Sequence, residues 1–176
     1  MWKISKSFDF CYGHKVHLQQ LIEEYSLTTQ CKCRHLHGHQ GQLIVSLVGE
    51  KLNEQGMVFD FVNLNFIKKF LDDVLDHKFI IDSSDPVIDI LIPKYGGLTL
   101  PRISDEKGYS LIDVQNVKEE ELIDLYTSFV IVPFIPTSEK ISEWLFNIIS
   151  DILKPLCKVE SVQFFETPKS QSIYTG

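Results

Sequence analysis

The stretch Cys31-Lys32-Cys33-Arg34-His35-Leu36-His37-Gly38-His39, running on through Gln40 into Gly41-Gln42-Leu43-Ile44-Val45-Ser46-Leu47-Val48-Gly49, decides how this chain is read. Its first part holds two thiols and three imidazoles. In an extended backbone, side chains two residues apart point to one face. His37 and His39 can therefore aim both rings at one point, and Gly38 puts no side chain between them. That arrangement suits two nitrogen ligands on one metal ion, zinc or another ion that imidazole favours. The alternative is a polar loop that only happens to contain histidines. Residues 41–49 read as a strand. Leu43, Val45 and Leu47 lie on one parity and Ile44 and Val48 on the other, so cover is expected on both faces.

Upstream, residues 2–12 alternate. Trp2, Ile4, Phe8, Phe10 and Tyr12 share one parity, and Lys3, Ser5, Ser7 and Asp9 the other, which is a strand pattern. His14 continues the apolar parity beyond Gly13; alone, it reads as a core histidine more readily than as a ligand. An antiparallel pairing of the two strands would bring His14 toward His37 and His39. His17 follows in a loop or short helix that runs to Tyr25.

Downstream, Leu64, Ile67, Phe70, Leu71, Val74 and Leu75 keep helical spacing opposite Lys68, Lys69, Asp72 and Asp73, with Asp60 or Asn63 as cap and an end near Asp76-His77. Residues 82–132 are broken by Pro86, Pro93, Gly96, Gly97, Pro101 and Gly108 and read as an insertion with some structure of its own. Within it, 109–114 suggests a short strand and 118–126 a short helix; a further strand over 129–135 is interrupted by Pro133. Thr137 is placed to cap a second helix, with Glu139 in its first turn. Its stripe is Ile141, Trp144, Leu145, Ile148, Ile149 and Ile152, and Pro155 ends it. Residues 158–165 and 171–175 read as the last two strands. The order predicts a single α+β domain over 1–176, an antiparallel four-stranded sheet with two helices on one face.

Composition agrees with a soluble globular chain: 176 residues, 44% hydrophobic and 23% charged. A net charge of −7 without a Lys/Arg-rich run speaks against a duplex nucleic-acid partner, and any anionic substrate would need local basic residues. No apolar run approaches membrane-spanning length and the N-terminus lacks a signal-peptide core, so a cytoplasmic protein without a membrane partner is expected. Cys31 and Cys33, one residue apart beside histidines, point to metal or catalysis rather than a disulfide framework. Cys11 and Cys157 are expected in the core.

Several separate blocks resemble the 6-pyruvoyl-tetrahydropterin synthase / 6-carboxy-tetrahydropterin synthase (QueD) family. They are Phe8-Asp9-Phe10-Cys11-Tyr12-Gly13-His14, Cys33-Arg34-His35-Leu36-His37-Gly38-His39, Gly56-Met57-Val58-Phe59-Asp60-Phe61, Leu75-Asp76-His77, Pro136-Thr137-Ser138-Glu139 and Glu166-Thr167. The resemblance implies the tunnelling fold, a homo-oligomer (commonly a hexamer with sites between subunits), and a pterin triphosphate as small-molecule substrate. Three residues separate Cys33 from His37, as in QueD-type members; the pyruvoyl-forming enzymes place the cysteine farther back. The implied reaction is that of queuosine biosynthesis: 7,8-dihydroneopterin triphosphate gives 6-carboxy-5,6,7,8-tetrahydropterin, acetaldehyde and triphosphate. Elimination of triphosphate to 6-pyruvoyl-tetrahydropterin is the alternative lyase reaction, and a non-catalytic zinc-stabilised binding module the alternative outside enzymes.

By the same resemblance, His14, His37 and His39 hold Zn2+, leaving a position open as catalytic sites require. Cys33 is the proton-transferring thiol, unless Cys31 or Cys33 closes the zinc shell. Asp76 and His77 form a second proton relay. Glu166 anchors the pterin, whose paired N–H donors match a carboxylate. Thr137 and Glu139 are weaker candidates for the same pocket, since helix capping already explains them. Lys15, Lys32 and Arg34 are the nearby cations for the triphosphate; His17 and His35 read as polar loop residues. The connection from His77 to Pro136 is longer than is usual in the family, and suggests a lid, an interface or a narrowed substrate range.

Overall fold

A computed structural model describes residues 1–92 and 94–176. Pro93, one of the pattern breakers, lies outside the described residues. In chain order the elements are β1 (Trp2–His14), β2 (His37–Gly49), α1 (Asn65–Phe70), β3 (Lys78–Asp82), α2 (Ile88–Leu91), β4 (Arg102–Asp105), β5 (Tyr109–Ile112), α3 (Glu120–Thr127), β6 (Phe129–Val132), α4 (Ser138–Leu153), β7 (Lys158–Thr167) and β8 (Ser170–Tyr174).

The α+β class stands, but the four-stranded antiparallel sheet does not. Among the described residues eight strands form one sheet in the order β4-β5-β6-β3-β1-β2-β7-β8. It is mixed: β3 runs parallel to β1, and β6 parallel to β3, while β4–β5, β5–β6, β2–β7 and β7–β8 are antiparallel. The difference comes from Phe79-Ile80-Ile81. This short apolar run after His77 forms β3, with Ile80 and Ile81 fully buried. Two successive parallel strands need a long crossover between them. Residues 83–128 are that crossover, and they carry α2, the β4–β5 hairpin and α3.

The chain divides into two compact units. One comprises Met1–Cys11, His39–Asp76 and Thr137–Gly176; the other comprises Tyr12–Gly38 and His77–Pro136. In the first, α4 packs on β7 and β8. Its stripe buries Ile141, Trp144, Leu145, Ile148 and Ile149 as its spacing predicts, but Ile152 is 43% exposed and Leu153 is buried instead. Leu43, Val45 and Leu47 of β2 are fully buried, whereas Ile44 and Val48 on the other parity are only half-buried.

The first helix is assembled from three pieces. The Asp60 carboxylate accepts from the Val62 N–H at 2.9 Å and caps a 3-10 turn, Phe61–Leu64. α1 follows, held on its exposed side by the pairs Lys68–Asp72 and Lys69–Asp73. The last turn, Leu71–Leu75, widens to π geometry, and the Asp76 N–H reaches the Leu71 carbonyl at 2.7 Å. In the second unit α3 packs on β5 and β6. Ile81, Ile88, Tyr126, Phe129 and Ile131 belong to its apolar core, so the long connection builds a core rather than a floppy appendage.

Candidate metal centre and pterin site

Alternation carries β1 through Phe8, Phe10, Tyr12 and His14 as buried residues, so His14 arrives at the strand end fully buried. His37 and His39 open β2, two residues apart on one strand, and the local pleat sets their relation. One ligand atom from each of His14, His37 and His39 lies within 4.8 Å of the other two. The rings of His14 and His37 stand 4.5 Å apart between centroids.

Backbone carbonyls select the tautomer. His14 Nδ1–H donates to the Pro136 carbonyl at 2.6 Å, and His37 Nδ1–H donates to the His35 carbonyl at 2.8 Å. A carbonyl can only accept, so the proton sits on Nδ1 and Nε2 carries the lone pair. This is how proteins usually orient metal-binding histidines. The Nε2 atoms of all three histidines are buried from solvent. The donor set therefore fits a metal ion, and three imidazoles leave a further coordination position. Cys31 and Cys33 fall outside this group. Glu166, on β7, brings Oε1 to 3.6 Å from His39 Nε2, so the candidate pterin anchor borders the same histidines.

Cys33 lies half-buried in a 3-10 turn, Lys32–Arg34. The carbonyl of Cys33 takes the Val16 N–H at 2.8 Å, clamping the chain that leaves β1 against the thiol-bearing turn. Asp76 and His77 sit where the helix stops. Asp76 is extended (ψ 128°), and His77 adopts the left-handed region with φ 58°. That reversal removes the helical constraint that keeps adjacent side chains apart. Ligand atoms of Cys11, Asp76 and His77 lie within 4.8 Å of one another, and Asp76 Oδ1 accepts the Cys11 N–H at 2.7 Å. Cys11 is thus exposed beside the Asp–His pair, not in the core; the strand alternation that made Asp9 exposed already implied it. Cys157 is half-buried near the Val48 carbonyl, and burial pushes its thiol upward.

Thr137 caps α4, its hydroxyl accepting from the Lys140 N–H at 3.3 Å, and Glu139 lies in the first turn. Capping therefore accounts for Thr137.

His17 corrects its reading as a polar loop residue. It is only 9% exposed. Its Nδ1 stands 3.9 Å from Asp82 Oδ2 and 3.8 Å from Asp85 Oδ2. Asp85 is buried and takes two bonds from Lys15 Nζ, both at 2.9 Å. Burial alone would raise the Asp85 carboxyl. The Lys15 and Val87 hydrogen bonds, with the charges of Lys15 and His17, hold it below the usual carboxylate range. No spacing rule links residues 15–17 to 82–85, so periodicity had nothing to detect.

Three imidazoles converging on one point are a donor set found in catalytic metal sites, which use three protein ligands. The chain matches the family described as 6-pyruvoyl tetrahydropterin synthase over residues 3–176, and it belongs to that family. It is 29% identical to the 6-carboxy-5,6,7,8-tetrahydropterin synthase of Aquifex aeolicus, covering 98% of this chain and 97% of that protein. The crystal structure of an uncharacterized protein from Wolinella succinogenes is similar at a TM-score of 0.92 and 45% identity, covering 99% and 97% of the two chains. The 6-pyruvoyl tetrahydropterin synthase of Caenorhabditis elegans shares the fold at a TM-score of 0.58 and 21% identity, covering 99% and 95%. Among the described residues no helix is long and apolar enough to cross a membrane.

Proposed function

We propose that this chain is a zinc-dependent 6-carboxy-5,6,7,8-tetrahydropterin synthase. Dihydroneopterin triphosphate and water would give 6-carboxy-tetrahydropterin, acetaldehyde and triphosphate. The observation that carries the reading is the His14–His37–His39 group, with Nδ1 of His14 and of His37 held by a backbone carbonyl. A bound zinc ion would polarise side-chain oxygens of the substrate and acidify the adjacent C–H and O–H groups. Cys33 moves the proton released there. Asp76 orients His77, which serves as the second acid–base group. Glu166 accepts the paired pterin N–H donors and sets the ring beside the metal. The Cys33-to-His37 spacing and the name of the Aquifex relative favour the carboxy product over the pyruvoyl one. A cytoplasmic homo-oligomer, a hexamer feeding queuosine synthesis, belongs to the same proposal; light scattering tests the assembly.

The test is anaerobic incubation of the zinc-loaded protein with dihydroneopterin triphosphate. Acetaldehyde and the carboxy product are expected in equal amounts. A pyruvoyl product without acetaldehyde would replace this reaction with the elimination. No turnover, together with sulfur in the first shell by X-ray absorption at the zinc edge, would establish a closed structural site.

A further inference from the structure

Cys11, Asp76 and His77 make a second convergence of metal-ligand side chains, outside the three-histidine group. The β1–β3 register accounts for it. Tyr12 pairs with Lys78 in a parallel ladder, so one step back along both strands sets Cys11 opposite His77. Strand parity turns Cys11 away from the side of Phe10 and Tyr12 and out to solvent. The π turn stops at Asp76, whose Oδ1 accepts the Cys11 N–H at 2.7 Å, and this bond orients the carboxylate. His77 holds φ 58°, the one positive φ of a non-glycine residue among the described residues. Observed backbone strain of this kind clusters at ligand clamps and active sites.

We infer that Cys11, Asp76 and His77 form a second, exposed site for a divalent transition-metal ion of the zinc type. Zinc binds sulfur, imidazole nitrogen and carboxylate oxygen at about 2.0–2.3 Å, which sets the ligand atoms of a tetrahedral site roughly 3–4 Å apart. One ligand atom from each of the three residues lies within 4.8 Å of the other two, so small side-chain adjustments close the shell. A thiolate beside an imidazole selects zinc-type ions over magnesium or calcium, which take oxygen ligands. Ligating carboxylates are themselves hydrogen-bonded, as Asp76 is to the Cys11 N–H. Binding displaces the thiol proton, which leaves to solvent. Cys11 and His77 are exposed and Asp76 half-buried, so water completes the coordination and the ion exchanges readily. This site therefore fills after the histidine group and loses its ion on gel filtration. Once filled, it ties up the carboxylate and imidazole of the proton relay, so excess zinc inhibits; this consequence rests on the proposed reaction.

Cobalt(II) titrated into the zinc-loaded protein tests the site without any turnover. A further metal equivalent should bind, with a thiolate-to-cobalt charge-transfer band in the near ultraviolet. Cys11→Ser should abolish the band and weaken cobalt binding by about 10-fold or more, since loss of a supporting contact alone costs that much. Cys11→His should lose the band yet keep the further equivalent, a pattern that misfolding cannot produce. Cys31→Ser and Cys33→Ala should keep both. Zinc in excess should slow wild-type turnover by about 10-fold or more and slow Cys11→Ser far less, each measured against its own rate before the addition. Absence of the further equivalent overturns the site, and so does a band that survives Cys11→Ser but vanishes in Cys33→Ala. A band that follows Cys11 while the wild type forms no pterin product upholds the site and overturns the reaction.

Discussion

Gly13→Ala is a small change that should disturb the proposed metal centre without altering any of its histidines. A Cβ built at Gly13 would lie 2.6 Å from Cδ2 and 3.1 Å from Cε2 of Phe79, and 3.3 Å from the His37 carbonyl oxygen. Carbon atoms in good contact stand about 3.5–4.0 Å apart, so the overlap with the ring is about 1 Å. Phe79 cannot simply withdraw, because its ring packs edge-on against Phe129 with centroids 6.2 Å apart. Gly13 pairs with Phe79 in the β1–β3 register, and His14 pairs with Ile80 one step on. The strand must therefore shift at the residue next to His14, a proposed metal ligand. Overpacking of this kind costs about 1–3 kcal/mol. For a chain of this size that is a fall in Tm of about 2–12 °C. Zinc affinity should fall about tenfold or more, as when a supporting contact of a metal ligand is disturbed. Differential scanning calorimetry and competition against a chromophoric chelator read the two effects. Phe79→Leu in the Gly13→Ala background should recover most of both. An unchanged Tm and zinc affinity in Gly13→Ala, or no recovery in the double variant, would refute the steric argument.

Three further outcomes are expected. His14→Ala should lose zinc while Cys33→Ala keeps one equivalent and loses turnover; metal analysis beside the acetaldehyde assay separates a ligand from a proton-transfer group. Asp85→Asn should destabilise the protein at neutral pH by about 3 kcal/mol, since it strands Lys15 beside a neutral amide. The Asp85 carboxyl is lowered in the folded state, so its contribution is present above the unfolded value of about 3.9 and is lost as pH falls through the folded value. Urea melts of the chelator-treated protein between pH 6 and pH 3 should accordingly be less steep in pH for Asp85→Asn than for wild type. Thr137→Ala should cost about 1 kcal/mol, the worth of an N-cap, with no change in KM; a raised KM would return Thr137 to the pterin pocket.

Much of the site was legible because it rests on short-range regularities. Strand parity put Phe8, Phe10, Tyr12 and His14 on one face; Cys11, on the opposite parity, was nonetheless expected in the core and is exposed. The capping roles of Asp60 and Thr137 follow from residue type and position. The roles given to Asp76, His77 and Glu166 came from family resemblance, since a strand-end glutamate and a helix-end histidine carry no local signal of chemistry. His17 was misread because a loop histidine looks polar until its distant neighbours are known. The long connection hid β3 and β4, whereas β5 and β6 lie within the strands expected over 109–114 and 129–135: a five-residue apolar run such as β3 carries too little period to be told from buried loop.

The sequence by itself determined the His37–Gly38–His39 pair, the β1 alternation and the start of α4, because each depends on backbone geometry within a few residues. Only the tertiary structure decided that His14 joins that pair, that β3 runs parallel between β1 and β6, and that Lys15, His17, Asp82 and Asp85 share one buried cluster. Those arrangements join residues tens of positions apart, and they are selected by apolar burial and charge pairing across the fold, which no local period encodes.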